Sequence, residues 1–282
     1  DKEYGKFLAD ICNQFIKKND LKVDYISSHG HTIFHQPEKK YTLQIGCGKT
    51  IADITNITTI NNFRELDVSL GGQGAPLVPI GDLHLFPEFK YCLNLGGFAN
   101  ISEKQDKIIA FDICPVNIVM NEICQEINKL FDKDGKLANK GKVIPLLLDE
   151  LNQLEFYKRK PPKSLGREWV KKKINPILNK KKYSIEDKLN TFCEHIAYQI
   201  GSFLKNESVL VSGGGANNKY LIKKIKEYTK SKIILPSKEI IDFKEAIIFA
   251  FLGVLRLENK NNCLKSVTGA KTDNCGGDIY RK

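Results

Sequence analysis

A chain of 282 residues, 41% hydrophobic and 27% charged, can bury a sizeable core, in two lobes more readily than in one. The 44 Lys+Arg against 33 Asp+Glu leave a net charge of +11, but no nucleic-acid motif accompanies the lysine runs at 171–173 and 180–182, so a solvated surface is the preferred reading over a nucleic-acid face. No apolar run reaches membrane-spanning length, DKEYGKFLAD reads as neither signal nor transit peptide, and the eight cysteines lack any C-x-x-C pair. A disulfide scaffold and a zinc knuckle are thereby disfavoured, and a reducing cytoplasm is expected.

Taken in chain order, Phe7, Leu8, Ile11, Phe15 and Ile16 recur at helical spacing and predict a helix over 3–18. Short strands follow at 23–27, 41–46 and 57–60. Residues 63–79, FRELDVSLGGQGAPLVP, carry three glycines within four positions and two prolines, and read as neither helix nor strand. A loop so costly in backbone entropy, with Asp67 at its mouth, suits a ligand site. A second unit opens near residue 90. YCLNLGG reads as a strand running into glycines that FANIS continues, and 107–113 pairs with it through a turn at 103–106.

Helices are expected at 116–131 and 143–154, and an irregular basic excursion at 157–184. The stretch 191–204 reads as a helix, and SVLVSGGGANN as strand, glycine loop and helix start. The last helix, about 239–257, puts Ala246, Phe249, Ala250 and Gly253 on one side, where small residues permit close packing. Helices and strands alternate throughout, so the class is α/β.

Gly46-Cys47-Gly48-Lys49-Thr50 resembles the end of a P-loop, but Leu43 stands where the first glycine belongs, and turn and strand rather than a long helix are expected behind Lys49. Gly213, Gly214 and Gly215 follow a strand and precede a helix, a place where the backbone can approach a ribose or phosphate. His29, His31 and His35 lie within seven residues, open to metal ligation or to polar substrate contact. His195, inside an apolar helix, reads as a satisfied core histidine. Asp67 and Asp112 sit beside glycine or proline turns and are the carboxylates best placed to enter a cleft, with an N-cap or turn role as the alternative. Glu245 by default is a surface residue.

Seven strings recur together in one family: SSHGHTIFHQP (27–37), TLQIG (42–46), FRELDVSLGGQGAPLVP (63–79), NLGGFANIS (94–102), PKSLGREW (162–169), VSGGGANN (211–218) and SVTGA (266–270). With them the chain resembles the anhydro-N-acetylmuramic acid kinases of bacterial cell-wall recycling, while FDICPVN (111–117) replaces that family's FDTGPGN-like string. The resemblance implies the two-lobed actin-like ATPase (ribonuclease H-like) fold, with ATP bound between the lobes. Residues 1–89 plus 244–282 would form a sugar-binding, catalytic lobe, and 90–243 a nucleotide-binding lobe. The family's opening GLMSGTSLDG-like phosphate loop does not occur in this sequence, so the first lobe is expected to be incomplete at its N-terminus.

The implied reaction converts 1,6-anhydro-N-acetylmuramic acid, ATP and water to N-acetylmuramic acid 6-phosphate and ADP, with Mg²⁺. Asp67 would be the general base, and His29, Arg64 and Glu245 would contact the sugar. Gly96, Gly97, Asn100, Asp112, Gly213, Gly214, Gly215 and Asn217 would hold ATP. The implied partners are the small-molecule sugar and ATP, with no nucleic acid and no membrane, and family members suggest a homodimer. The alternatives are a homologue that at most binds nucleotide or sugar, and another sugar or acetate kinase of the superfamily.

Overall fold

The structure, a computed structural model, describes residues 1–161, 163–180 and 182–282. Pro162 of the PKSLGREW string and Lys181 of the basic run lie outside the described residues. The chain separates into two compact units, Asp1–Phe86 with Glu245–Lys282, and Pro87–Lys244.

The first unit begins with α1 (Lys2–Lys18), β1 (Tyr25–Ser27), β2 (His31–Gln36), β3 (Tyr41–Ile45), α2 (Gly48–Thr55), β4 (Thr58–Asn61), α3 (Glu65–Ser69) and α4 (Val78–Leu85). Only part of the expected apolar stripe of α1 packs, with Leu8 and Ile16 half-buried. Gly5 and Ala9 are buried, whereas Phe7, Ile11 and Phe15 are 54%, 46% and 60% exposed. Two further expectations are corrected here. A helix does follow Gly48, because Ile51 and Ala52 give it a buried face; its Lys49 is paired with Asp53 at 3.0 Å, i to i+4, on the exposed side. The segment 63–79 likewise contains regular structure, since Asp67 and Val68 are buried and draw Glu65–Ser69 into a short helix.

The second unit contains β5 (Tyr91–Leu95), β6 (Phe98–Glu103), β7 (Ile109–Pro115), α5 (Asn117–Gln125), α6 (Pro145–Asn152), α7 (Glu155–Lys158), α8 (Arg167–Trp169), α9 (Asn175–Asn179), α10 (Ile185–Phe203), β8 (Ser208–Ser212), α11 (Lys219–Glu227) and β9 (Lys232–Ile234). Its sheet runs β7-β6-β5-β8-β9, with β6 antiparallel to both neighbours and β5, β8 and β9 mutually parallel. Counted within the unit that order is 3-2-1-4-5, the ribonuclease H-like arrangement. FANIS therefore does not continue β5. The chain reverses at Gly96-Gly97 and returns antiparallel.

The 157–184 excursion is also more regular than expected. Val170, Ile174 and Leu178 are buried at a four-residue spacing beneath the lysines, and they carry the chain from α8 through a π-helical turn (Val170–Ile174) into α9. The helix expected over 116–131 stops at Gln125, and beyond it Leu130 and Phe131 are exposed. The core of this unit joins Leu93, Leu95, Val209 and Val211 of the sheet to Phe192, Ile196 and Ile200 of α10. His195 is buried there between Asn152 and Tyr157, at 2.7 and 2.9 Å.

The chain then forms α12 (Lys238–Leu257), α13 (Lys265–Thr268) and β10 (Asp278–Tyr280). Residues from Glu245 onward belong to the first unit. There β4 pairs parallel with β1 and antiparallel with β10, while β2 and β3 form a separate hairpin. Ile248, Phe249 and Leu252 of α12 pack with Ile60, Phe63, Leu77 and Ile80. Gly253 allows the close packing expected of small residues, since a Cβ there would stand 2.8 Å from Cβ of Ser27.

Candidate functional site

In the first unit α3 carries Asp67 into a fully buried position. Its Oδ1 accepts from Thr268 Oγ1 at 2.8 Å, Asn274 Nδ2 at 2.9 Å and Cys263 Sγ at 3.0 Å, and its Oδ2 accepts from Gly74 N at 2.7 Å. All four contacts present donors to the carboxyl oxygens, three to Oδ1 and one to Oδ2. The Cys263 thiol is pushed up by burial first and then by Asp67 beside it, which keeps it protonated as a donor. The turn after α3 is shaped by this carboxylate. A Cβ on Gly72 would lie 2.1 Å from Asp67 Oδ2, so only glycine fits there. Gln73 N donates to Thr268 O at 2.9 Å and Lys271 N to Leu70 O at 3.2 Å, stitching the turn to the segment that supplies Thr268.

Arg64, at the start of the same helix, donates through Nε and Nη2 to His29 Nε2 at 3.1 and 2.8 Å, and through Nη1 to Gly74 O at 2.6 Å. With Nε2 accepting, His29 carries its proton on Nδ1 and donates it to Gly30 O at 3.0 Å. Burial, and then the Arg64 cation, hold His29 below the usual imidazole range, so it is neutral. The Phe249 ring stands edge-on to it at 4.7 Å. Burial lowers Arg64 too, and the Glu245 carboxylate of α12 opposes that shift. His29, Arg64 and Glu245 therefore form one electrostatic cluster, although 35 residues separate the first two and Glu245 comes from the far end of the chain. Arg64 reaches Asp67 through Gly74, whose carbonyl and amide serve one each.

His31 is exposed, and His35 is hydrogen-bonded to Thr42 Oγ1 at 3.1 Å. Among the described residues no group of three His, Cys, Asp or Glu could hold a metal ion.

In the second unit the two glycine strings meet. Asn94 and Ser212 form the last register pair of the adjacent parallel strands β5 and β8, so both loops leave the same edge of the sheet. Gly213 has φ +81, and a Cβ there would lie 2.4 Å from Asn94 Oδ1 and 2.9 Å from the Leu95 carbonyl. Asn117 Nδ2 donates to Leu95 O at 3.1 Å, and the first amides of α5 are taken by the Gly96 and Gly97 carbonyls. Gly97, Gly214 and Asn217 are exposed, Gly96 and Gly213 half-buried, and Gly215 buried. Beside this edge, a cleft of about 500 Å³ is lined by residues including Ala216, Ile222 and Leu235 with Lys219 and Lys223.

Asn100 and Asp112 extend the same register row, since Asn100 of β6 stands opposite Asn94 on one side and Asp112 of β7 on the other. Asp112 clamps the PKSLGREW segment: its Oδ2 accepts from Leu165 N at 2.8 Å, and its own amide donates to Lys163 O at 3.0 Å. Burial pushes its carboxyl up, and the Leu165 amide opposes that. Sequence reasoning did not single out Cys263, Asn274, Asn94 or Asn117. Thr268 lay within the SVTGA string, Asn94 within NLGGFANIS and Asn117 within FDICPVN, whereas Cys263 and Asn274 lie in none of the quoted strings.

The profile of the family described as "Anhydro-N-acetylmuramic acid kinase" matches residues 1–282. Proteins of that same description are similar along nearly the whole chain. One from Coxiella burnetii (strain RSA 493) is 37% identical over 306 residues, covering 99% of this chain and 81% of that protein. One from Caldanaerobacter subterraneus is 36% identical, with 95% and 77% covered, and one from Mannheimia succiniciproducens 34%, with 100% and 83%. Among solved structures, the activator of the 2-hydroxyisocaproyl-CoA dehydratase from Clostridium difficile with bound ADPNP aligns at a TM-score of 0.39 and 16% identity, over 66% of this chain and 69% of that one.

Proposed function

Because the chain belongs to the anhydro-N-acetylmuramic acid kinases, a phosphotransferase family, we propose that it acts on 1,6-anhydro-N-acetylmuramic acid in cytoplasmic cell-wall recycling, with water and ATP yielding N-acetylmuramic acid 6-phosphate and ADP. The observation that carries this reading is Asp67, a fully buried carboxylate held by four donors. Asp67 takes the proton of a water as the water oxygen bonds to the anomeric carbon. The bond from that carbon to O6 breaks, and O6 takes the γ-phosphoryl group. A base in this role acts as an acceptor, and the four contacts around Asp67 are all donors that fix its orientation.

His29, Arg64 and Glu245 serve the sugar. Arg64 has five N–H donors in a planar fork, and three contacts to His29 and Gly74 leave it capacity for the lactyl carboxylate. Neutral His29 orients the guanidinium.

The second unit fits a nucleotide. Exposed Gly97 and Gly214 offer side-chain-free backbone at one edge of parallel strands, where phosphates can approach closely. ATP supplies the phosphoryl group, and Mg²⁺ neutralises its charge. Without a three-ligand cluster among the described residues, the ion would be held chiefly by phosphates and water. Asn217 belongs with Gly213–Gly215 in this site, and Asn100 and Asp112, in one register row with Asn94 and Ser212, are its further nucleotide contacts.

The test is Asp67→Asn in the full-length protein. Turnover should fall at least about a hundredfold, as loss of a general base commonly produces, with nucleotide affinity unchanged. Wild-type turnover would sink the reading.

A further inference from the structure

The two oxygens of Asp67 are not equivalent. Oδ1 accepts three side-chain donors, from Thr268, Asn274 and Cys263, whereas Oδ2 accepts a single backbone donor, Gly74 N. All three side chains are buried, at 2%, 5% and 2% exposure for Thr268, Asn274 and Cys263, so none of these bonds competes with solvent. A carboxylate oxygen offers about two lone-pair directions, so three donors saturate Oδ1, while one leaves room on Oδ2. Gly72, where a Cβ would stand 2.1 Å from Oδ2, lays side-chain-free backbone against that oxygen, so the turn covers Oδ2 without adding a side-chain donor to it. We infer that Thr268, Asn274 and Cys263 are positioning residues that lock Oδ1 and fix the plane of the carboxylate, so that Oδ2 is the oxygen that takes the proton. The inference rests on the proposed role of Asp67 and adds to it which oxygen works and which residues aim it.

The arrangement is also economical in chain terms. Thr268 Oγ1 has a second acceptor within reach, Leu264 O at 3.4 Å, and its closer contact, 2.8 Å, is to Asp67. Thr268 O accepts from Gln73 N, so the same residue holds both the carboxylate and the turn that covers Oδ2.

The test uses Thr268→Ala, Thr268→Ser and Cys263→Ala in the full-length protein, with 1,6-anhydro-N-acetylmuramic acid as the varied substrate. Misaiming a base costs turnover rather than ground-state affinity, so Thr268→Ala should lower kcat about ten- to a hundredfold, leave KM within about twofold, and be rescued by serine, which restores the hydroxyl. Cys263→Ala should lower kcat about threefold, the thiol being the weakest donor, and it decides the matter if Thr268→Ala does not fold. Independently of activity, the infrared S–H stretching band of Cys263, assigned by its loss in Cys263→Ala, should shift in Asp67→Asn. Wild-type kcat in both Thr268→Ala and Cys263→Ala would overturn the inference while leaving Asp67 as base. So would losses that serine does not rescue, or an S–H band unmoved by Asp67→Asn. Full activity in Asp67→Asn would instead refute the base assignment itself, and the band shift would then report the cage alone.

Discussion

Unit two contains a buried group whose protonation opposes folding. His195 donates from Nδ1 to Asn152 and accepts at Nε2 from Tyr157, whose phenol is itself pushed up by burial, so the imidazole is a neutral bridge. Burial lowers it from an ordinary value of 6.5 to about 3. The unfolded chain binds this proton near pH 6.5 and the folded one only near pH 3, so the stabilisation is complete above 6.5 and is lost as pH falls toward 3. At about 1.4 kcal/mol per unit the full swing is about 5 kcal/mol, and the part lost between about pH 7 and pH 5 is about 2 kcal/mol. For a unit of this size that corresponds to a fall of about 4–8 °C in Tm. Calorimetric unfolding of wild type and His195→Gln across this range isolates the effect, because every other titrating group is common to both. The variant should start less stable at about pH 8, having lost part of a buried network, yet lose about 2 kcal/mol less on acidification. Parallel pH profiles would show that His195 does not carry the acid sensitivity.

Gly72→Ala should abolish turnover and lower Tm, since the added methyl would overlap Asp67 Oδ2 and also stand 2.8 Å from Ala270 Cβ; overpacking of this kind costs about 1–3 kcal/mol. Retained activity would mean that the turn does not lie over the carboxylate. Gly213→Ala puts a side chain at φ +81 against Asn94 and Leu95, and calorimetric titration with ATP should show at least about tenfold weaker binding. Arg64→Lys loses the fork that reaches His29 and Gly74 together, so sugar KM should rise about tenfold with nucleotide affinity intact. Asp112→Ala removes the acceptor for Leu165 N, so hydrogen exchange at that amide should quicken at least about tenfold and ATP affinity should fall; unchanged ATP affinity would show that Asp112 is no nucleotide contact.

The α/β class, the helix at the N-terminus, both glycine strings of the second unit and the core placement of His195 were legible from local pattern, because periodicity and glycine runs are written in adjacent residues. Segments whose regular structure depends on burial were not. The helix Glu65–Ser69 forms because Asp67 and Val68 turn inward, and the π-turned helix after Arg167 because Val170, Ile174 and Leu178 hide beneath lysines. The packed face of α1 departs from its apolar stripe for the same reason: Gly5 and Ala9 are small enough to approach α2, and the larger Phe7, Ile11 and Phe15 are left outside while Leu8 and Ile16 are half-buried.

Adjacent residues alone show a carboxylate and an arginine beside glycines, a histidine and a glutamate far from them in the chain, and two glycine loops after strands. What holds these groups depends on contacts between distant segments. The three side-chain donors to Asp67 come from residues 196, 201 and 207 positions further along, a separation over which no local pattern carries information. Gly72 shows the division most sharply. As sequence it is one of three glycines in a costly loop; in the fold it is the one whose missing side chain makes room for the carboxylate.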